Sequence, residues 1–503
     1  MLRKIMPVLI LAIGSLFTLS NPAFAGFDET VNAALAPISK AVSSFIFFSV
    51  PLNGADIPLI VVWLIACSVF FTFYLRVLTP RNIKTSLKMV RGDYTDPNDE
   101  GQISHFKALT TALSGTVGVG NIGAVAFAIT IGGPGALFWI IVGGLLGASL
   151  KCAECTLGVK YRTKHQDGSV SGGPMYYLEE GLKEKNLPRL GKIIGCMYAG
   201  FIVIGCLGIG NMFQSNQAYE QLQLVTGGAD GFLFGKGWLV GGIMAFIVAL
   251  VLIGGIQSIT RVTSKLVPGM AGIYFVAALI VIGLNIEALP GVIADVVTQA
   301  FNPAGITGGL FAVMIIGFRR STFSNEAGLG SSSIAHAAVK TNQPASEGLV
   351  GLLEPLIDTV IICPLTGLVI LLTVFSPEMV GGDVQGVQLT SAAFETVIWW
   401  FPNVLAIVIV LFAFSSIIAW GYYGQKGWIY LFGNDPVQSK IFLLIYCVFV
   451  LIGCSLDLGV IIDFSDAIVF CMALPNVLGL YFLAPVVKRE VGTYLEKLRS
   501  VET

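Results

Sequence analysis

Residues 109–133, LTTALSGTVGVGNIGAVAFAITIGG, place glycines and polar side chains inside an apolar stretch. Gly115, Gly118, Gly120 and Gly123 alternate there with Ser114, Thr116 and Asn121. Glycine in a helix interior costs about 1 kcal/mol relative to alanine, so the segment is predicted to open at these residues. Unwound backbone at membrane depth survives only when it is buried in protein or lines a wet cavity. The opening brings two half-helix ends together, one offering N–H donors and the other carbonyl acceptors. That pair suits the carboxylate and amine of a small zwitterion, and bare carbonyls suit a desolvated cation. A second interrupted stretch, 304–336, carries Gly308, Gly309, Gly317 and a polar run.

Other side chains with chemical potential lie on neighbouring segments. Glu354 and Asp358 are four residues apart in LLEPLIDT, so both acids share one face of a helix. A carboxylate at the membrane centre costs about 2.5–3.5 kcal/mol on insertion scales. The pair reads as a gate or coupling element with Arg319 or Arg320, or else as a partly wet helix end. Phe311, Ile315 and Phe318 are helix-spaced, and Ile315 and Phe318 are expected to shape a small side-chain pocket; simple packing is the alternative. Asn211, Gln214 and Asn216 follow a glycine, which also fits an outer-loop turn. Glu154 is expected to be structural, paired with Lys151 or Arg162. Cys152 and Cys155 have metal-site spacing without the further ligands such a site needs, since the only histidines are His105, His165 and His336. The glycine-rich strings lack the GK[ST] ending of a phosphate loop, so no ATPase and no organic cofactor is implied.

The elements that position these residues follow from composition. Of the 503 residues 55% are hydrophobic and only 12% charged, with mean hydropathy +0.82. Soluble domains run nearer 25% charged, so the chain reads as an all-α polytopic membrane protein. No basic stripe with interleaved aromatics is present, which argues against a nucleic-acid partner. Residues 1–25 resemble a secretory signal, with Arg3 and Lys4, an apolar core, and Ala23-Phe24-Ala25 before Gly26; an uncleaved first helix is the alternative. Residues 26–56 are expected to lie outside.

Eleven spans are then expected, near 57–78, 106–133, 135–158, 191–211, 237–257, 266–286, 304–321, 350–374, 402–422, 440–457 and 460–485. With the N-terminus outside and the C-terminus inside, this topology puts all but four of the 29 Lys/Arg residues on the cytoplasmic side. The exceptions are Arg3 and Lys4 in the signal and the outward-facing Lys40 and Lys236, a distribution that obeys the positive-inside rule. The two interrupted segments open two five-span halves, 106–286 and 304–485, which enter the membrane from opposite sides. Inverted repeats with interrupted segments at matching positions point to a transporter's binding site. Span 57–78 stands outside the repeat, and 486–503 forms a cytoplasmic tail.

Several separated strings carry a specific resemblance: GTVGVGNI (115–122), GGPGALFW (132–139), AECTLGVKYR (153–162), GGPMYY (172–177), FSNEAGLGSSSIAHAA (323–338), IDT (357–359) and WGYYG (420–424). Together they resemble the alanine/glycine:cation symporter family, from roughly residue 105 to 430. That resemblance implies a leucine-transporter-like five-plus-five inverted repeat in a cell inner membrane, carrying alanine or glycine inward with sodium, or in some members with protons. It implies that Thr116, Gly118, Gly120 and Asn121 contact substrate, and that Gln214 and Asn216 reach the pocket. It implies a co-transported sodium between the carbonyls of Ser114 and Val117 and the hydroxyls of Ser415 and Ser416. The sequence departs from the family pattern at Arg319-Arg320-Ser321, at Ser332-Ser333 and at Gln425, where members commonly carry Lys-Arg-Gly, a proline and a carboxylate.

Overall fold

In the computed structural model the described residues are 37, 40–52, 54–96, 99–165, 168–303, 308–381, 386–456 and 458–502. The signal reading at 1–25, residues 26–36 of the external segment, and the start of the second interrupted piece at 304–307 lie outside them.

Among the described residues the protein is helical apart from two small hairpins. The first pairs β1 (Ser49–Leu52) with β2 (Ala55–Pro58) and leads directly into α1 (Leu59–Leu75). Arg76, at φ 53°, turns the chain so that α2 (Pro80–Arg91) leaves at 92°. Thr79 accepts from Asn82 N at the start of α2, and Pro80 fills the first helical position, where a missing N–H costs nothing. The glycine-broken stretch follows as α3 (His105–Thr116) and α4 (Gly120–Gly132), bent by 49° across residues 117–119.

Beyond it run α5 (Gly135–Lys160), α6 (Pro174–Glu184), α7 (Pro188–Val225), α8 (Gly237–Leu252), α9 (Gly255–Leu284) and α10 (Leu289–Phe301). The second half contains α11 (Gly309–Asn325), α12 (Ser333–His336), α13 (Pro344–Thr373), α14 (Val387–Glu395), α15 (Phe401–Phe432), α16 (Pro436–Gly453) and α17 (Leu458–Glu502). Seven of these, α5, α7, α9, α13, α15, α16 and α17, are long and apolar enough to cross a membrane. Counting each of the two bent pairs as one crossing brings the number to nine. α9 and α16 turn large apolar side chains outward, Ile273 and Val276 on one and Leu444 and Val448 on the other. Such faces have a place against lipid and none against water.

Two expectations change on contact with the structure. The fourth expected span ends at 211, whereas α7 continues to Val225 through a π-type turn at Gly208–Met212. Of the interruptions expected within 304–336, the one at Gly317 is absent, since Gly317 is inside α11. There the missing side chain lets α5 approach, since a Cβ would fall 2.8 Å from the carbonyl oxygen of Ala136. The helix ends instead at Glu326, φ 57°, and the chain unwinds through Gly328 (φ 89°) and Gly330 (φ 77°) before α12.

Candidate functional site at the paired helix breaks

The first break is built by redirected backbone donors. A continuous helix would give the N–H of Gly118 to the carbonyl of Ser114. Here it goes to Asn121 Oδ1 at 3.0 Å and to Thr116 O at 2.9 Å. The N–H of Asn121, which a helix would give to Val117 O, goes to Gly118 O. The carbonyls of Ser114 and Val117 thereby lose their regular partners. Val119 N donates to Gln214 Oε1 at 3.2 Å, and the indole of Trp420 donates to Gly115 O at 3.4 Å. Thr116 Oγ1 bonds weakly back to Ala112 and Leu113 of its own helix.

Ser416 on α15 faces this opening. Its hydroxyl is buried, has no hydrogen-bond partner among the described residues, and lies where a Cβ on Gly118 would fall. A buried polar atom left unpaired costs about 1–3 kcal/mol. Ser415, one residue away, donates its hydroxyl proton to Phe412 O at 2.9 Å, which leaves the oxygen's lone pairs available.

Asp358 lies at the other side of the break. α13 widens into a π-type turn at Leu356–Ile362, which carries Asp358 against Asn121. The carboxylate accepts from Asn121 Nδ2 (2.6 Å), Ser324 Oγ (2.7 Å) and Thr359 Oγ1 (2.7 Å), and it is fully buried. No cationic side chain bonds to it among the described residues. Ser324 belongs to the last turn of α11, so Asp358 joins the edges of both breaks. Glu354, one turn earlier, bonds to His336 and Lys151 and stays clear of both arginines.

The polar and aromatic walls sort by helix phase. Gln214 reaches the break, whereas Asn216 donates to Leu456 O at 2.7 Å. Residues two apart on a helix point about 200° apart, so the two amides serve different faces. Asn211 likewise turns away, to Tyr446 O. Gln217 accepts from Val387 N and lies against Gly123, a contact the sequence reading missed. Phe318 packs on Trp139 at 5.9 Å and against Gly143 of α5, so it faces away from the break. Ile315, three residues earlier, is buried in the core on that same side of the helix by spacing. Phe323 takes the pocket-facing place, 3.7 Å from where a Cβ on Gly120 would sit and edge-on to Phe213.

The expected pairing of Arg319 or Arg320 with Glu354 or Asp358 is replaced by a different one. Both arginines lie within α11 and bind Asp466 of α17, Arg319 at 2.7 Å and Arg320 closer still. Arg320 also covers the rings of Phe127 and Phe323, and Arg319 covers Phe47. A cavity of about 10 Å³ remains beside Arg320, Gln217 and Phe213, room for about one water.

The second break is held from outside. Glu154 Oε1 accepts from Gly328 N and from Asn476 Nδ2, and Asn476 also donates to Gly328 O. Tyr198 donates to Leu329 O, and Ser331 bonds to Glu326. Glu154 therefore positions the unwound strand and takes neither Lys151 nor Arg162 as a hydrogen-bond partner. Cys152 and Cys155 are buried free thiols.

Comparison with known proteins agrees with this geometry. The model of the sodium:alanine symporter family matches residues 45–503. The sodium/alanine symporter AgcS of Methanococcus maripaludis is 36% identical over 443 residues, covering 87% of this chain and 94% of that one. The probable sodium/glutamine symporter GlnT of Bacillus subtilis is 32% identical over 449 residues, covering 88% and 89%. Among solved structures, that of MhsT in complex with L-phenylalanine superimposes with a TM-score of 0.55 at 15% identity, over 78% of this chain and 99% of that one. The likeness establishes the leucine-transporter-like fold of a multi-pass membrane protein. With the family model spanning nearly the whole described chain, the protein is a transporter and not an enzyme: it belongs to the sodium:alanine symporter family.

Proposed function

We propose that this protein imports a small neutral amino acid, alanine or glycine, together with sodium across a cell inner membrane. The observation that carries the reading is the buried meeting of both helix breaks. On one side stand the freed carbonyls of Ser114 and Val117 with the unpaired Ser416 hydroxyl; on the other, Asp358 receives Asn121 and Ser324 without a cationic partner. One sodium would sit at the first group. The substrate carboxylate would take over the redirected N–H groups around Gly118 and Gly120, with Gln214 beside them. Its ammonium, or a second sodium, would balance Asp358. Phe323 and Phe213 bound the side-chain end, which favours a methyl or a hydrogen there. Eleven crossings, with the five-plus-five inverted repeat and the N-terminus outside, complete the reading. Each sodium entering down a 100 mV potential supplies about 2.3 kcal/mol before its concentration gradient is counted.

Asp358 supports a second reading, coupling to a proton in place of sodium, because a buried carboxylate without a cation is also satisfied by a proton. Uptake of labelled alanine and glycine into proteoliposomes decides between them. Accumulation above equilibrium driven by inward sodium supports the first reading. Accumulation driven only by an acid-outside gradient supports the second, and silence under both defeats the substrate assignment.

A further inference from the structure

A chain of buried titratable residues lies outside the proposed transport site. His336 closes α12, just past the second break, and its ring is wholly buried. Its Nδ1 lies 2.6 Å from Glu347 Oε1 and its Nε2 lies 2.7 Å from Glu354 Oε1. The other oxygen of Glu347 meets His105, the first residue of α3. The other oxygen of Glu354 lies 3.3 Å from Lys151 Nζ on α5, and Lys151 also donates to Ser332 Oγ at 2.6 Å. The order is His105, Glu347, His336, Glu354, Lys151, acids alternating with bases.

Hydrogen-bond chemistry counts the protons. An ionised carboxylate only accepts, and a neutral imidazole donates from one nitrogen only. Two ring-to-carboxylate hydrogen bonds therefore need two protons. Either His336 is an imidazolium between two carboxylates, or the ring is neutral and one carboxyl is protonated. Both cases place one more proton on the Glu347–His336–Glu354 triad than a neutral ring and two carboxylates hold. Without that proton, a ring lone pair would face a carboxylate lone pair at hydrogen-bond distance with no water to screen it.

The surrounding groups favour holding the proton. From α5 the triad faces Lys151, Glu154 and Cys155, whose Sγ lies 3.9 Å from Glu354 Oε1. From the second break it faces Glu326, from α3 His105, and from the segment before α3 Asp99. Tyr423 of α15 and Tyr494 of α17 lie on further sides, and the buried residues of α2 are Asn82, Thr85, Ser86 and Met89. Lys151 and Arg162 are the fixed cations near this acidic group. Arg162 is committed to the carbonyls of Glu100, Ala337, Val339 and Thr341.

The triad also sits under a closure. Gln102 N donates to Ala338 O and Lys340 N donates to Ile103 O, both at 2.8 Å, stapling the entry of α3 to the segment after α12. Parting these two segments would draw His105, on α3, away from Glu347, on α13.

We propose that Glu347, His336 and Glu354 form a proton-binding site that latches this end of the two broken helices shut. Proton binding closes the staple and proton loss releases it. The proton enters and leaves on one side, the cytoplasm in the proposed topology, so none crosses the membrane and the latch reads internal pH. The assignment of a side rests on the transporter reading; the latch itself does not.

Hydrogen–deuterium exchange on the full-length protein in sodium-free nanodiscs tests the latch directly. Exchange of peptides covering 333–341 is followed from about pH 6 to about pH 9, where histidines titrate, and corrected for intrinsic amide rates. The corrected opening should rise by up to about tenfold per pH unit while the linked proton leaves. His336→Gln, which cannot bind that proton, should show opening independent of pH, and Glu347→Gln serves if that variant fails to fold. Flat corrected exchange in the unmodified protein, or an unchanged pH response in the folded variant, overturns the proposal. In right-side-out vesicles, sodium-driven alanine uptake should follow internal pH; dependence on external pH alone overturns the one-sided latch. Absence of any sodium-driven uptake defeats the transport reading and leaves the exchange result to stand or fall by itself.

Discussion

Replacing Ser416 with alanine separates an ion ligand from a packing group, because the two roles predict opposite signs. The hydroxyl is buried and unpartnered among the described residues. Leaving such a group unsatisfied costs about 1–3 kcal/mol, so its removal should not lower, and should even raise, the unfolding midpoint in sodium-free buffer. Sodium binding should suffer. Taking the lost oxygen as about 1.4 kcal/mol raises the sodium Kd about tenfold. At a sodium concentration a hundred times the original Kd, binding stabilises the unmodified protein by about 2.7 kcal/mol; at that concentration the variant retains only about 1.4 kcal/mol. Thermal unfolding in sodium chloride against choline chloride reads both quantities, and the sodium needed for half-maximal uptake should rise about tenfold with little change in maximal rate. Ser415→Ala is the comparison, since that hydroxyl already donates its proton to Phe412 O. A lower sodium-free midpoint with the full sodium increment preserved would show the Ser416 hydroxyl to be structural, and the ion site would have to be sought elsewhere.

Three further outcomes follow from the same geometry. Gly118→Ala puts a methyl on Ser416 Oγ and 3.2 Å from Gln214 Oε1, whereas at Gly120 the added carbon meets only Phe323 at 3.7 Å. Uptake should therefore be lost at 118 and largely kept in Gly120→Ala, and equal losses would contradict the packing. Asp358→Asn keeps the shape but removes the charge that Asn121, Ser324 and Thr359 serve. The half-saturating concentration of substrate or sodium should rise by at least about tenfold, roughly 1.4 kcal/mol, with surface expression intact; unchanged uptake constants would remove Asp358 from the site. Asp466→Asn strands Arg320, only 3% exposed, and should cost about 3–5 kcal/mol in denaturation measurements. Arg319→Gln, at 29% exposure, should cost less than about 1 kcal/mol.

What was legible in the chain was local. Four glycines with Asn121 announce the first break because glycine acts on the backbone that carries it, and the structure bends there by 49°. The second break falls within the expected 304–336 but past Gly317, because a glycine that opens a helix and one that admits a neighbouring helix look alike in sequence. Only the position of Ala136 and Trp139 tells them apart. Helix phase was a similar obstacle. Ile315 and Phe318 make a plausible stripe, but Phe323, about 140° away from Phe318 at 3.6 residues per turn, is the ring that meets Gly120. Gln214 and Asn216 were indistinguishable by residue type and are separated by that same rotation. The leader, the eleven crossings and their orientation stay as the sequence and its charges propose them.

Charge pairing was the least legible feature, and the reason bears on mechanism. A buried ion pair is chosen by which helices touch, and Arg320 and Asp466 are 146 residues apart, so no local rule finds them. Once the partners are known, the two ends of the site differ in kind. Beside α4 and α11 lies an arginine–carboxylate ion pair, reinforced by aromatic faces on both guanidiniums. Beside α3 and α12 lies a backbone staple over a triad that needs one labile proton. An arginine–carboxylate pair changes little over physiological pH, since a guanidinium keeps its charge up to about pH 12. A histidine between two glutamates changes with each proton it gains or loses. On the proposed reading, opening the first end would be driven by what binds at the breaks, while opening the second would also respond to the solution that reaches it. In the sodium-driven importer proposed, that asymmetry would place regulation at the exit and leave entry to the gradient.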